Sequence, residues 1–174
     1  GFHNEHGNGG AGILRHQGGS YTVEFAIVGL LFFVLVFAVV EIGRLLFTWH
    51  GLAEATRRGA RVAAVCPVGH SAPPRVAVFS SPDGDGTSPV LPGLSTTHVS
   101  VDYLDRYGVK LTAPAADFPA IRYVRVAISN YQHQFLVPMF GTTLNAPSFE
   151  TVLPRESLGV PREGGTVQCF GTGS

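Results

Sequence analysis

Charge is scarce in this chain. Lys, Arg, Asp and Glu supply 14% of its 174 residues, where soluble domains carry about 25%. Lys+Arg and Asp+Glu number 12 each, so the formal net charge is zero. The basic face that nucleic-acid phosphates demand is therefore missing. Cysteine is nearly absent: Cys66 and Cys169 are too few for a disulfide scaffold and form no CxxC metal pair. No proline precedes Pro67, which leaves everything before it open to a long helix. Without a GxSxG elbow, a P-loop or an HExxH motif, nothing points to an enzyme or a cofactor. The only methionine is Met139 and residue 1 is glycine, so the sequence is expected to lack its translated start.

What the chain has in quantity is apolar residues, 45% of the total. They concentrate in the run Phe25–Val40, FAIVGLLFFVLVFAVV, 16 residues without a polar side chain. At 1.5 Å per residue this covers about 24 Å, short of the roughly 30 Å hydrocarbon core. Tyr21, Thr22 and Val23 extend it on one side. Ile42, Leu45, Leu46, Phe47 and Trp49 extend it on the other, with Trp49 suited to the membrane interface. A cleaved signal sequence would be shorter and followed by a small-x-small site, but EIGRLLFTWHG follows instead. A single-pass membrane anchor is the expectation.

Four regions separate by composition. Residues 1–19 hold seven glycines and little that can be buried, so disorder is expected there. Residues 20–65 are apolar, then amphipathic. Residues 66–97 are rich in Pro, Gly and Ser and read as a loop region. Residues 98–174 form a β-rich domain. A helix from Ser20 to Val65 would be about 69 Å long and must project well beyond the membrane. Glu54 stands three, four and seven residues before Arg57, Arg58 and Arg61, the favourable order for same-face ion pairs. Gly51, Ala55, Gly59 and Ala63 recur every fourth residue. Such a small-residue stripe packs closely either on its own domain or on another chain.

Beyond the helix, HVSVDYLD alternates at Val99, Val101 and Tyr103. YVRVAISNY alternates too, with Val124, Val126 and Ile128 opposite Arg125. VAVF at 76–79 and SFETVL at 148–153 are shorter strand candidates. The expected fold class is α+β: a long N-terminal transmembrane helix extending into a small antiparallel sheet, with four strands over one helix face.

Glu24 stands one residue before the apolar run, where a carboxylate is costly without a partner. Were the chain cut between Gly19 and Ser20, Glu24 would become the fifth residue of the product. The new α-amino group of a staggered neighbour could then neutralise Glu24 and fix the axial register of adjacent helices. The run from Gly19 through V-E-F-A (Glu24 and Phe25 within it), the apolar stretch, E-x-G-R (Glu41–Arg44) and G-A-R-x-A-A resembles the TadE-like family. Those are pseudopilins of the Tad/Flp branch of type IV pilus machinery. The stretch Tyr131 to Phe140 and the segment Pro154 to Ser157 are similar to family features more weakly. The resemblance covers roughly 45 residues. No proline follows the glutamate as in many relatives; Gly29 stands near its place.

The resemblance implies cleavage by a prepilin peptidase after Gly19 and partners among other pilins or pseudopilins. It also implies a bacterial inner-membrane location with the N-terminus in the cytoplasm. Arg44, Arg57, Arg58 and Arg61 follow the run while Arg15 alone precedes it, against the positive-inside bias. Cysteines favour an exported domain nonetheless: in the cytosol Cys66 and Cys169 stay reduced as unrelated thiols. Outside it they can close the whole domain, a loop the chain-entropy model rates at about 4.7 kcal/mol. His3, Glu5 and His6, the Asp83-Gly84-Asp85-Gly86 turn, and the scattered His50, His70, His98 and His133 form no metal-ligand pattern. The alternative to a minor pilin is a signal-anchored envelope protein whose exported domain binds a partner.

Overall fold

The computed structural model describes residues 1, 18–136, 143–160, 165 and 169–170. It divides into two compact units, Gly1–Val40 and Glu41–Ser174. The leader expected at 1–19, with His3, Glu5, His6 and Arg15, lies almost wholly outside the described residues; of it only Gly1, Gly18 and Gly19 are described, the last two as helix. Val137–Phe140, at the end of the stretch beginning at Tyr131, are also outside.

Helix α1 runs Gly18–Val65, 48 residues, starting two residues before the expected Ser20. It ends at Val65, one residue before Cys66, because Pro67 disfavours helical geometry at the residue before it. In the first unit α1 is bare: Phe25, Leu30, Phe33 and Leu35 are all exposed, Phe25 at 79%.

The second unit is α+β, as the composition and alternation imply. Strands β1 (Val99–Leu104), β2 (Tyr123–Ile128) and β5 (Phe149–Pro154) form an antiparallel sheet in the order β1-β2-β5. Between β2 and β5 the chain makes a separate two-stranded sheet, β3 (Gln132–Gln134) with β4 (Thr143–Asn145). Two apolar clusters fill the core. One joins Leu52 and Ala55 of α1 to Val78, Leu91, Leu94, Ile128 and Tyr131. The other joins Ala60 and Ala63 to Tyr103, Ile121, Val124, Val126 and Leu158.

Two expectations about strands need correcting. VAVF at 76–79 is no strand: residues Ala72–Ala77 form a short helix, α2. Pro73 and Pro74 occupy its first turn, where their fixed φ and missing N–H suit a helix start. It ends at Ala77, and Phe79 just beyond its C-cap turns the chain away with a φ of +64°. The sheet on the helix therefore has three strands, and the two further strands stand apart from it.

Candidate anchoring and assembly site

The first unit exposes large apolar side chains on every side of α1 from Tyr21 to Val40. Burying one such side chain is worth about 1.5–3 kcal/mol, so this surface demands lipid or other helices. The helix is long and apolar enough to cross a membrane. Glu24 and Phe25 sit on it, both exposed, and Glu24 has no ion pair among the described residues. The Gly19–Ser20 bond falls in the first turn of α1.

Immediately after Val40 the character of the helix changes on one face. Glu41 is buried although it is a carboxylate. Its Oε1 accepts a hydrogen bond from Arg44 Nη1 at 2.8 Å, and its Oε2 accepts one from the Leu136 N–H at 3.1 Å. His133, in the middle of β3, brings Nε2 to 3.6 Å from the same carboxylate. Thr48 donates its hydroxyl hydrogen to the Arg44 carbonyl at 3.0 Å and lies 3.2 Å from His133 Nδ1. A pocket of about 150 Å³ opens beside these groups, lined by Arg44, Thr48, Pro92, Tyr131 and His133 among others. Tyr131 donates to the Pro92 carbonyl at 2.9 Å, and burial pushes its phenol pKa up.

Further along α1 the small-residue stripe faces the protein's own domain. Ala55 and Ala63 are fully buried. A Cβ on Gly51 would meet Leu91 at 3.0 Å, and one on Gly59 would meet the Ala77 Cβ at 2.7 Å. The Thr56 hydroxyl pairs with that of Thr151 at 2.9 Å. Elsewhere on the helix Arg57 lies 3.8 Å from Glu54, and Arg58 stacks its guanidinium 5.0 Å over the Phe79 ring.

The end of α1 is closed twice. The Glu156 and Leu158 N–H groups donate to the Ala64 carbonyl, and the Gly159 N–H and Ser157 hydroxyl donate to that of Val65. These carbonyls have no partner within the helix, so residues Glu156 to Gly159 act as a cap supplied from late in the chain. A disulfide then joins Cys66 to Cys169, with Cα atoms 5.1 Å apart.

Residues 19–61 match the family model described as TadE-like protein. They are a TadE-like segment. No curated protein and no solved structure matches the chain. The TadE-like segment holds Gly19, Ser20, Glu24, Phe25, Glu41, Arg44, Gly51, Ala55 and Gly59, whereas Ala63, Cys66, His133 and Cys169 lie beyond it. With the exposed apolar helix, it marks a membrane-anchored protein with a Tad-related helix.

The structure brings Glu41 and His133 together, a pairing the sequence hides. Residues 85 and 95 positions apart, Thr48 with His133 and Glu41 with Leu136, bond across the gap. Two further histidines have local roles. His98 folds back on Ser95, and His70 accepts the Ala72 N–H. Asp85 accepts the Thr87 N–H at 2.9 Å and its hydroxyl at 2.7 Å in a tight turn, which lowers its pKa. Among the described residues no three His, Cys, Asp or Glu side chains converge on a metal-sized site.

Proposed function

We propose that this chain is a minor pilin, or pseudopilin, of a Tad/Flp-type pilus, held in the bacterial inner membrane by α1. In this reading residues 1–19 are a cytoplasmic leader removed by a prepilin peptidase. Residues 20–65 are the assembly helix, and the region from 66 onward, with its loop and β-rich part, is displayed outside the cytoplasm. The observation that carries it is a coincidence of three features on one helix. The TadE-like segment, the bare apolar surface and an exposed Glu24 five residues after Gly19 all fall on α1.

The mechanism is physical. Apolar helices bundle side by side, and the carboxylate of Glu24 draws in the α-amino group that cleavage leaves on a neighbour's Ser20. In a low-dielectric bundle an unpaired charge is expensive, so only the stagger that pairs the two groups is stable. Gly51, Ala55, Gly59 and Ala63 are already committed within the domain, so the exposed face of α1 supplies the contact between subunits.

The Cys66–Cys169 disulfide supports an oxidising, exported environment for the domain. Arg44 and Arg57 have acidic partners in Glu41 and Glu54, which softens the charge bias after the apolar run. N-terminal sequencing of membrane-extracted protein is expected to begin at Ser20 in cells that contain a prepilin peptidase, and to retain the leader in cells that lack it. An intact leader in both would favour the signal-anchored envelope protein.

A further inference from the structure

We propose that His133 is a proton-controlled latch, which in its charged form holds the β3–β4 hairpin against α1 through Glu41 and Thr48. Losing the proton loosens that hold. All these groups lie in the second unit, and the latch goes beyond the pilin reading without depending on it.

Beyond its base, the hairpin rests on one side chain. Tyr131, just before β3, belongs to the apolar core. Of the three residues in β3 and the three in β4, only His133 is buried, at 3% exposure. The two strands form a sheet of their own, with no ladder to β1, β2 or β5. An apolar side chain at 133 would hold the hairpin alike at every pH. An imidazole changes its charge between about pH 5 and 8, so this attachment answers to protons.

What surrounds the ring fits the cation. Nδ1 lies 3.2 Å from the Thr48 hydroxyl, which is placed to donate to the Arg44 carbonyl and can accept from the ring. Nε2 has no hydrogen-bond partner and stands 3.6 Å from Glu41 Oε1, an acceptor. A neutral ring carries a single N–H. With it on Nδ1, Nε2 faces the carboxylate lone pair to lone pair. With it on Nε2, Nδ1 must draw the Thr48 hydrogen away from the Arg44 carbonyl. The imidazolium has two N–H groups and serves both acceptors. Nε2 then closes from 3.6 Å to the roughly 2.8 Å of a charge-assisted bond.

The neighbouring charges allow this. Glu41 and Arg44 face the ring from α1, and the Phe135 ring meets it edge-on at 5.4 Å. Tyr131 borders the same pocket with its hydroxyl committed to the Pro92 carbonyl. Strand β4, Thr143–Asn145, carries no titratable group. Arg44 already neutralises Glu41 at 2.8 Å, and its side chain is 41% exposed. It can therefore yield Oε1 to the ring and stay solvated. The pocket bordered by Arg44, Thr48 and His133 gives the proton a path from water.

The test uses the isotope-labelled full chain in detergent micelles, with the His133 ring assigned by through-bond correlation to its own backbone. Between about pH 7.5 and about pH 5.5, both ring nitrogens are expected to reach imidazolium chemical shifts. Over that range the Leu136 amide, which donates to Glu41 at 3.1 Å, is followed by hydrogen exchange corrected for the intrinsic rate. Its protection should rise roughly tenfold, about the effect of one charge-assisted hydrogen bond. The Val126 amide in the central strand β2 is the control and should stay level. Glu41→Gln keeps an acceptor for Leu136 but removes the charge, and it should abolish the rise while Val126 stays protected. A ring that remains neutral at the acid end overturns the latch, and so does a protonated ring with no gain at Leu136. An equal gain at Val126 overturns it too, since the whole domain then responds. A gain that survives in Glu41→Gln removes Glu41 as the partner. The titration of the parent chain decides the latch by itself where the variant does not fold.

Discussion

Gly59 shows how one residue's meaning depends on what stands opposite. In an open helix, replacing Gly with Ala stabilises by roughly 0.5–1 kcal/mol, because the chain loses less entropy on folding. Here the added Cβ would sit 2.7 Å from the Ala77 Cβ and 3.1 Å from Val126 Cγ1. Overpacking of that kind costs about 1–3 kcal/mol, so the clash exceeds the gain. Gly59→Ala is expected to lower the thermal unfolding midpoint, and Ala77→Gly in the same chain to restore part of the loss. A raised midpoint in the single variant would mean that α1 and α2 part easily. The four-residue spacing of the stripe was legible in the sequence, but its partner was not: Gly51, Ala55, Gly59 and Ala63 have the same pattern whether they meet a neighbour's helix or Leu91 and Ala77. Glu41 was less legible still. It reads as the end of an apolar run, and nothing local ties it to a histidine and a backbone N–H in a later hairpin.

Among the elements, the three-stranded sheet bears its charge on the face away from α1. Asp102 on β1 is buried there beneath Arg125 of β2 at 2.7 Å and Lys110 at 2.5 Å. Burial alone pushes its carboxyl pKa up. The hydrogen bonds and positive charges of Lys110 and Arg125 outweigh that, and the net shift is downward. A carboxyl whose folded pKa lies below its unfolded one adds stability that is complete above the ordinary carboxylate range, and that stability is lost as pH falls through the folded value. Unfolding midpoints followed from neutral pH into acid should therefore drop less steeply for Asp102→Asn than for the parent. Parallel curves would remove Asp102 from the acid response. Strands β1 and β2 were legible because Val99, Val101 and Tyr103, and Val124, Val126 and Ile128, alternate toward one apolar face; in β5 Phe149, Thr151 and Leu153 take that face and Val152 is exposed. Strand β3 was not, because its inward residue is His133 between two glutamines and no apolar period exists to be read. Helix α2 was mistaken for a strand because V-A-V-F alternates while the deciding prolines stand just before it.

At the scale of the whole molecule, one helix serves two environments, and the proposed role of Glu24 belongs to the first. Glu24→Ala removes a charge at the edge of the apolar run and should leave insertion intact, with the protein still recovered in membranes. Pili counted by electron microscopy should be sharply reduced, since the stagger between helices loses the pair that fixes it. Normal piliation by this variant would end the register mechanism. The disulfide, worth about 4.7 kcal/mol in the chain-entropy model for a loop of this size, has a further consequence of a mechanical kind. Tension applied between α1 and the last residues of the chain runs from Cys169 across the sulfur bridge to Cys66. The sheet and its loops hang on that line as a side load, so the domain can be hauled from either end without a strand being unzipped.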